Sequence, residues 1–304
     1  MKTPTTTPPD PPFKSGHIAI VGRPNVGKST LLNALIGQKL SISARRPQTT
    51  RHSILGIRTT DRAQMLFVDT PGQHLKTPRA LNRYMNRTAT AALHDVDAVV
   101  LVADRLKWNA EDAMVLRQVK ATAKPCLVAL NKIDRLTDPA LLLPHIQDLA
   151  AQLPQAEFVP LSALRKTNLD RLLALLEDRL PAGPPLYAAE QITDRSLRFL
   201  AAEIVREKIM RQLGEEVPYA ATVHIERYQK KGNLTQIHAL ILVERSGQKS
   251  ILIGAGGTRL KQIGSDARRD LERLTGGKVM LKLWAKVRAN WSDDDRALRH
   301  LGYR

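Results

Sequence analysis

The strongest constraint on this chain is the segment GRPNVGKS at residues 22–29. It matches the phosphate-binding pattern GxxxxGK[ST] and lies between a strand, HIAIV, and a helix, STLLNALIG, as such a loop requires. Glycines let backbone N–H groups surround a β-phosphate, Lys28 reaches the β- and γ-phosphates, and Ser29 offers its hydroxyl to Mg²⁺. The predicted nucleotide contacts are Gly22, Arg23, Pro24, Asn25, Val26, Gly27, Lys28, Ser29 and Thr30.

Two downstream motifs predict that the base is guanine. NKID at 131–134 follows the apolar strand CLVAL, and SAL at 162–164 follows EFVP. The carboxylate of Asp134 can accept from the N1–H and the exocyclic amine of guanine, whereas adenine lacks that amine. The backbone N–H of Ala163 would donate to the guanine O6. Asp134 could instead cap a turn, but the order of the motifs along the chain favours guanine. The predicted base contacts are Asn131, Lys132, Asp134, Ser162, Ala163 and Leu164.

A third motif and a polar segment predict a Mg²⁺ site. DTPG at 69–72 follows the strand MLFV, so Asp69 would hold Mg²⁺ through a water and the N–H of Gly72 would respond to the γ-phosphate. Upstream, SARRPQTTRHS reads as a mobile segment in which Thr49 or Thr50 closes onto Mg²⁺. Thr50 is preferred because it directly precedes the Arg-His pair. The predicted Mg²⁺ ligands are Ser29, Thr50 and Asp69, and the predicted catalytic residues are Lys28, Thr50, Gly72 and Gln73.

The order of apolar and amphipathic runs predicts two domains. Short strands alternate with helices over 16–180, which indicates an α/β domain with a mainly parallel sheet and helices on both faces. The prolines of PAGPP begin a linker over 181–193. Residues 194–304 follow the order α-β-β-α-α-β and end in a tail helix capped by Ser292. The Thr- and Pro-rich residues 1–15 read as a disordered tail.

The composition favours a polyanionic partner. The chain has 304 residues, with 47 Lys and Arg against 29 Asp and Glu, and a formal net charge of +18. Such an excess attracts nucleic acid, although a uniformly basic, solvated surface is an equal alternative. The lone Cys126 lies in an apolar run and suits a reducing cytosol. No apolar run approaches the roughly 20 residues of a membrane-spanning helix.

Several long stretches carry a family signature: GRPNVGKSTLLNALIG, RPQTTRH, DTPG, NKID, ITDRSLRFLAAEIVREKI, ILIGAGGTRLKQIG and LWAKVRANWSDDDRALRHLGY. Over nearly the full chain they resemble the Era family of bacterial GTPases. The resemblance implies a cytoplasmic, monomeric GTPase domain with Mg²⁺ that binds GTP and GDP, followed by a smaller α+β domain of the type II KH class. It also implies binding to the 3′ end of small-subunit (16S) ribosomal RNA, a role in 30S subunit assembly, and some peripheral association with the inner face of the cell membrane.

The nucleotide site departs from the family pattern at one position. Residue 73, usually apolar in the family, is Gln73 here, which could orient the attacking water or remain solvated in a loose loop. The asparagine at position 25, in the phosphate loop, resembles that of related GTPases in which K⁺ takes the place of an arginine finger. This resemblance implies K⁺ as a second cofactor.

The RNA-binding loop also departs from the family. The family usually has a basic residue between the glycines of GxxG, and here Ala255 stands there. Trp284, on the last strand, could stack an unpaired base or could cover the open side of a small sheet. The predicted RNA contacts are Lys249, Gly254, Ala255, Gly256, Gly257, Arg259, Lys261 and Trp284.

Two rival functions share parts of this pattern. One is an RNA-binding module that uses GTP only as a conformational ligand. The other is a GTPase of tRNA modification or membrane transport, which the KH-like second domain and the lack of a membrane-spanning run disfavour.

Overall fold

The structure is a computed structural model of the chain, and it describes residues 12–44, 46, 48–72, 79–214 and 217–303. The strands of the first domain are β1 (Lys14–Val21), β2 (Ile54–Thr59), β3 (Ala63–Asp69), β4 (Ala98–Asp104), β5 (Cys126–Asn131) and β6 (Glu157–Pro160). Within the described residues these six form one sheet in the order β2-β3-β1-β4-β5-β6. Neighbouring strands run parallel, except that β2 is antiparallel to β3. The predicted mainly parallel sheet is therefore confirmed.

Helices cover both faces of this sheet. They are α1 (Lys28–Ile36), α2 (Ala80–Ala91), α3 (Ala110–Thr122), α4 (Leu142–Gln152) and α5 (Leu169–Arg179). Leu31 of α1 and Leu172 of α5 belong to the core on one face, and Val115 of α3 and Leu149 of α4 belong to the core on the other. Every residue of β4 is buried. A strand covered on both sides needs a continuous apolar run, which is what AVVLVA supplies.

Two features of the first domain differ from the sequence expectation. The strand β2 was missed, because its pairing depends on a short turn in which the Thr60 hydroxyl accepts from the N–H of Ala63 at 3.0 Å. In addition, β1 begins at Lys14, whose N–H donates to the carbonyl of Arg62 at 3.0 Å. Residues 14–15 therefore belong to the sheet and not to the predicted tail, because pairing with β3 and with the carbonyl of Pro181 satisfies their backbone groups.

The segment predicted as a linker, 181–193, lies against the first domain. The buried side chain of Gln64 accepts from the N–H groups of Leu186 and Tyr187 at 2.7 and 2.9 Å. Further along, the N–H of Ile57 donates to the carbonyl of Ile192 at 2.8 Å. The segment thus follows the edge of the sheet as irregular chain before the second domain begins.

The second domain contains α6 (Leu197–Gln212), α7 (Val217–Ala220), β7 (Thr222–Lys231), β8 (Leu234–Val243), α8 (Ser246–Ile253), α9 (Thr258–Thr275), β9 (Lys278–Val287) and α10 (Asp295–His300). Among the described residues its strands form one sheet in the order β7-β8-β9, antiparallel and then parallel. Ile263, Ala267 and Leu271 give α9 a buried stripe against this sheet. The predicted order α-β-β-α-α-β is confirmed, with the short α7 added. Across the described part of the chain, the helices are too short or too polar to span a bilayer.

The C-terminal tail packs on the first domain. Trp291 and Tyr303 form a buried cluster with Ala80 and Leu81 of α2. The carboxylate of Asp293 accepts from the N–H of Ala80 at 2.8 Å, so the tail supplies a hydrogen-bond acceptor to the start of α2. Asp293 thus caps the start of α2, although it lies next to α10 in the sequence.

The predicted cap of the tail helix was wrong. Asp294 caps α10 by accepting from the N–H groups of Arg296 and Ala297 at 2.8 and 3.1 Å. Ser292 is instead buried, and its hydroxyl donates to Glu244 at 2.5 Å. The contact with Glu244 is long-range and removes Ser292 from the capping position.

Candidate functional site

A cleft of about 670 Å³ opens where β1, β3 and β5 end. In an open α/β sheet the carboxyl ends of the strands are the usual ligand site. The structure brings the following predicted residues to this cleft: Pro24, Asn25, Gly27, Lys28, Ser29, Thr30, Thr50, Gly72, Asn131, Lys132, Asp134 and Leu164. Motifs more than 130 residues apart in the chain thus line one cavity.

The backbone of the phosphate loop requires glycine at two points. Gly22 has φ +150, and a Cβ there would lie 2.4 Å from the carbonyl oxygen of Val102. Gly27 has φ +106, and its Cβ would lie 2.3 Å from the amide nitrogen of Asn131. Both positions place the loop too close to its neighbours for any side chain. The loop is thereby tied to β4 and to the NKID segment.

Other members of the loop lie behind the cleft surface. Val26 is fully buried, and Gly22 is buried as well. The Arg23 side chain is turned toward α3, where its Nε donates to Asp112 at 2.7 Å. Arg23 is therefore available to a nucleotide through its backbone while its charge is paired with Asp112.

Lys28 begins α1 with its ammonium group buried in the loop. Nζ donates to the carbonyls of Gly22 and Arg23 at 2.8 and 3.0 Å. Burial lowers the pKa of Lys28 to about 8, and the charge of nearby Asp69 opposes this only in part. The phosphates of a nucleotide would supply the negatively charged partner that offsets the burial of this ammonium group.

Three oxygen-bearing side chains meet beside Lys28. The hydroxyl oxygens of Ser29 and Thr50 lie 2.7 Å apart, and Ser29 donates to Asp69 Oδ2 at 2.8 Å. The same Oδ2 accepts from the hydroxyl of Ser41 at 2.8 Å. Thr49 is turned away, since its hydroxyl donates to the carbonyl of Arg46 at 2.6 Å. Of the two threonines considered, Thr50 is the one that lies at this cluster.

The cluster fits a hard divalent cation. Burial raises the pKa of Asp69, against the opposing charge of Lys28 and two hydroxyl hydrogen bonds. Its Oδ1 is buried and has no hydrogen-bond partner among the described residues. Mg²⁺ prefers hydroxyl, carboxylate and water oxygens. The unpartnered oxygen and the two adjacent hydroxyls supply that donor set. Gln73 lies outside the described residues.

The base-recognition residues are braced by Asn131. Its side chain donates to the carbonyl of Val26 at 2.9 Å and accepts from the N–H of Ala163 at 3.0 Å. Asp134 is exposed in the cleft, where its Oδ1 accepts from the hydroxyl of Ser162 at 2.6 Å. The N–H of Ala163 is therefore already paired, and a guanine O6 would have to share it with Asn131. Ser162 and Ala163 thus position the side chains of Asp134 and Asn131.

Lys132 links the phosphate loop to Asp104, a residue that was not predicted from the sequence. Nζ of Lys132 donates to Asp104 at 2.7 Å and to the carbonyl of Asn25 at 2.6 Å. Burial alone would raise the pKa of Asp104, but its bonds with Lys132 and Arg105 outweigh burial and lower it. The position of Asp104 at the end of β4 was a usable signal, since that strand ends at the edge of the sheet where the cleft lies.

In the second domain, the loop IGAGG joins α8 to α9, with Ala255 and Gly256 exposed and the other three residues half-buried. Gly254, Gly256 and Gly257 have φ of +74, +55 and +78. The N–H groups at the start of α9 have no side-chain cap in the described structure. Helix N-termini of this kind attract phosphate.

The cations expected around the loop differ in availability. Lys261 is exposed and Lys249 is half-buried. Arg259 donates to the carbonyl of Ile251 at 2.7 Å and so closes the end of α8. Arg259 is exposed and keeps its charge at the surface while it makes this one backbone hydrogen bond, so its contact with RNA stays a prediction.

Comparisons with known proteins agree with this geometry. A family model described as 50S ribosome-binding GTPase matches residues 17–132, and one described as KH domain matches residues 216–292. The GTPase Era of Ectopseudomonas mendocina is 59% identical over 293 residues, covering 96% of this chain and 98% of that protein. The GTPase Era of Azotobacter vinelandii is 59% identical over 292 residues, covering 96% of this chain and 97% of that protein. The chain belongs to the Era family of GTPases.

Solved structures of Era match the whole fold. A variant of Aquifex aeolicus Era bound to GDP and aluminium fluoride is 40% identical with a TM-score of 0.93, covering 96% of this chain and 99% of that one. An Era structure in complex with MgGDPNP and nucleotides 1506–1542 of 16S ribosomal RNA gives the same identity, TM-score and coverage. As an Era-family member, the chain is a GTPase with a KH domain.

One prediction for the KH sheet stays open. Trp284 is half-buried, and its ring meets the ring of His238 edge-on at 5.9 Å and 72°. This contact fits a covering role for the ring, and the exposed part leaves room for a base.

The cleft also contains residues that the sequence reasoning missed. Arg46, Gln48 and Arg135 line it from the first domain, and Met210 and Arg211 line it from α6 of the KH domain. No local pattern marks α6 as a wall of a cavity formed by another domain. In the Era-family fold of this chain, the nucleotide cleft is therefore shared between domains.

Proposed function

We propose that this chain binds GTP with Mg²⁺ in the cleft, hydrolyses it, and uses its KH domain to bind the 3′ end of 16S ribosomal RNA during 30S subunit assembly. The observation that carries the proposal is the presence on one chain of the Ser29–Thr50–Asp69 cluster and of the IGAGG loop, which is exposed at Ala255 and Gly256. The Era complex with MgGDPNP and a 16S ribosomal RNA segment supports pairing these two sites.

The chain's own residues have separable roles in the proposed reaction. Lys28 would bind the β- and γ-phosphates and stabilise the charge that grows on the transferred group. Ser29, Thr50 and Asp69 would hold Mg²⁺, which neutralises phosphate charge when bound. The N–H of Gly72 would hydrogen-bond the γ-phosphate and report its loss. Asp134 would select guanine.

The placement of the attacking water is proposed in two forms. Gln73 would orient it through the side-chain amide, or Asn25 would help hold K⁺ in place of an arginine finger. Asn25 is exposed in the cleft with φ +64, and its carbonyl accepts from Lys132. Comparing GTP turnover in K⁺ and Na⁺ buffers separates the two, because only the second form needs K⁺.

For RNA, we propose that the backbone of residues 254–257 approaches the phosphates, with Lys249, Arg259 and Lys261 adding charge. The matched GTPase family model is described by 50S binding, whereas the solved Era complex contains 16S ribosomal RNA. The small subunit is the proposed target because the solved complex resembles this chain over both domains.

The remaining assignments are proposals as well. We propose a first domain that runs from Lys14 to residue 180 and a second domain over 194–304, joined by the segment 181–193 that packs along the first domain. We also propose a monomeric state and a cytoplasmic location set by the ribosomal partner. Peripheral membrane association is proposed only on the family resemblance. Flotation of the purified protein with anionic vesicles tests it.

The test of the main proposal measures GTP turnover with and without a single-stranded RNA of the 16S 3′ end. The full chain should hydrolyse GTP slowly and bind this RNA, and Lys28→Ala should remove hydrolysis while keeping RNA binding. Capture of isolated 30S and 50S subunits provides the partner control. Binding to 50S alone would refute the small-subunit assignment.

A further inference from the structure

The residues on either side of Thr50, Thr49 and Arg51, are both hydrogen-bonded to the KH domain. Before it, the carbonyl of Thr49 accepts a hydrogen bond from Nη2 of Arg206 on α6. After it, Arg51 is fully buried and donates to the carbonyls of Pro218, Tyr219 and Ala221 at 3.1, 2.9 and 2.9 Å. The segment predicted to be mobile is therefore anchored here from two directions.

Arg206 is itself fixed before it reaches Thr49. Its Nε and Nη2 donate to the two carboxylate oxygens of Glu203 at 2.8 and 2.6 Å. Arg206 is 1% exposed and Glu203 is 5% exposed. A buried ion pair gains little net stability, because taking both charges out of water costs about as much as their attraction returns. What the pair does supply is a guanidinium held in one orientation, with a donor directed at the Thr49 carbonyl.

The same helix forms part of the cleft. Met210 and Arg211, one turn beyond Arg206, line the nucleotide cavity. Arg211 donates to the carbonyl of Ser43 at 3.0 Å, at the beginning of the same polar segment. Helix α6 therefore contacts this segment near its start and beside Thr50.

We infer that Arg206 is a positioning residue for GTP hydrolysis, which holds Thr50 beside Ser29 and Asp69 through the carbonyl of Thr49. This inference rests on the proposed role of Thr50 at the Mg²⁺ site. The hydroxyl of Thr50 lies 2.7 Å from that of Ser29, so a shift of the Thr49–Thr50 peptide moves a metal ligand directly. A misplacement of about 1 Å can reduce a rate on the order of a hundredfold.

The role predicts a separation between rate and ground-state binding. Thr50 would contact Mg²⁺ only when the γ-phosphate is present, so loss of its position should lower kcat and leave GDP affinity unchanged. A residue that only stabilises the fold would instead reduce the fraction of active protein and weaken every ligand together. Arg206→Met in the full chain is the direct test, because methionine keeps much of the buried volume and removes the donors.

We expect Arg206→Met to lower kcat about tenfold, the factor for losing one charge-assisted hydrogen bond in the reactive state. The KM for GTP and the affinity for GDP should change less than about twofold. Loss of an interaction made equally in the ground state and the transition state would instead raise KM and leave kcat unchanged. Arg206→Lys keeps one donor and should recover part of the rate. The matched control is Arg198→Met on the same helix, since Arg198 donates to carbonyls of β7 within its own domain. Its kcat should match the wild type.

A double-mutant cycle shows whether Arg206 acts through Thr50. Thr50→Val should lower kcat, and adding Arg206→Met to it should lower kcat no further. The paired variant Glu203→Gln with Arg206→Met removes both buried charges, and it replaces the single variant if that variant fails to fold by circular dichroism.

The outcomes distinguish this inference from the proposed function. If Thr50→Val lowers kcat but Arg206→Met does not, the positioning role is wrong and the site assignment stands. If the two losses multiply in the double variant, Arg206 acts by another route and the inference is also wrong. An unchanged kcat in Thr50→Val would overturn the Mg²⁺ role of Thr50, and the inference with it.

Discussion

The stability of the domain junction should depend on pH through His52. The ring stacks on Tyr303 at 4.4 Å and meets the edge of Phe199 at 5.3 Å. Burial lowers the pKa of His52 to about 4; the charge of Glu203 opposes this, and three arginines, Arg51, Arg195 and Arg206, reinforce it. The folded junction therefore holds the neutral imidazole.

The sign and size follow from proton linkage. In the unfolded chain the pKa of the imidazole is about 6.5, so between about pH 6.5 and 4 the unfolded chain binds more protons than the folded one. The contribution of neutral His52 is fully present above pH 6.5 and is lost as pH falls toward 4. Between about pH 7.5 and 5 the free energy of unfolding should fall by about 2 kcal/mol from this residue. This is an upper value, since the ring is half-buried and keeps some contact with water.

His52→Phe is the perturbation that isolates this effect, because phenylalanine keeps the stacking and cannot take up a proton. Urea unfolding followed by near-ultraviolet circular dichroism at about pH 7.5 and 5 gives the two free energies. The wild type should lose up to about 2 kcal/mol more on acidification than His52→Phe. His94→Asn, at an exposed histidine, should behave as the wild type. Equal losses in the wild type and His52→Phe would refute the reasoning.

The nucleotide and RNA sites carry further predictions. Asp134→Asn should weaken GTP binding by about 1–3 kcal/mol and favour xanthosine triphosphate, as competition binding will show; equal affinity of the wild type for ATP and GTP would contradict the guanine assignment. Burial lowers the pKa of Lys28 to about 8 in the protein without nucleotide, and bound phosphate should raise that pKa. The affinity for GTP, measured by fluorescence titration, should therefore decline above about pH 8. The decline should be smaller in Lys28→Arg. Gly254→Asp should weaken binding of the 16S 3′-end RNA far more than Lys261→Ala in filter assays, because it adds negative charge at φ +74. Gln73→Leu should lower kcat about tenfold or less, and a thousandfold loss would contradict this.

The local motifs were readable from the sequence because their function depends on backbone shape within a few residues. The phosphate loop has positive φ at glycines 22 and 27, a backbone shape that the GxxxxGK pattern already indicates, and a strand followed by a helix positions the loop. The alternation of apolar runs likewise indicated the α/β sheet, and the change of rhythm after 181–185 indicated the second domain. Periodicity reports burial on a sheet or helix face, which is a local property.

Short-range reasoning was weaker where a residue's partner lies far along the chain. The strand β2 was missed because pairing with β3 defines it more than its own pattern does. Ser292 was predicted to cap the tail helix, but its hydroxyl donates to the distant Glu244 instead. In each case a long-range or cross-element acceptor competes with the local role, and the sequence does not show which acceptor is near.

The junction between the domains was decided by tertiary structure alone. Arg51 and Arg206 are charged residues in segments that read as polar loop and amphipathic helix, and both are almost fully buried. Arg51 donates to Ala221 and Arg206 donates to Thr49, in both cases more than 150 residues away in the chain, and Arg206 is also paired with Glu203 on its own helix. Burying a guanidinium is favourable only where carbonyl or carboxylate acceptors have already been brought together, and only the packing of one domain on the other brings them together here.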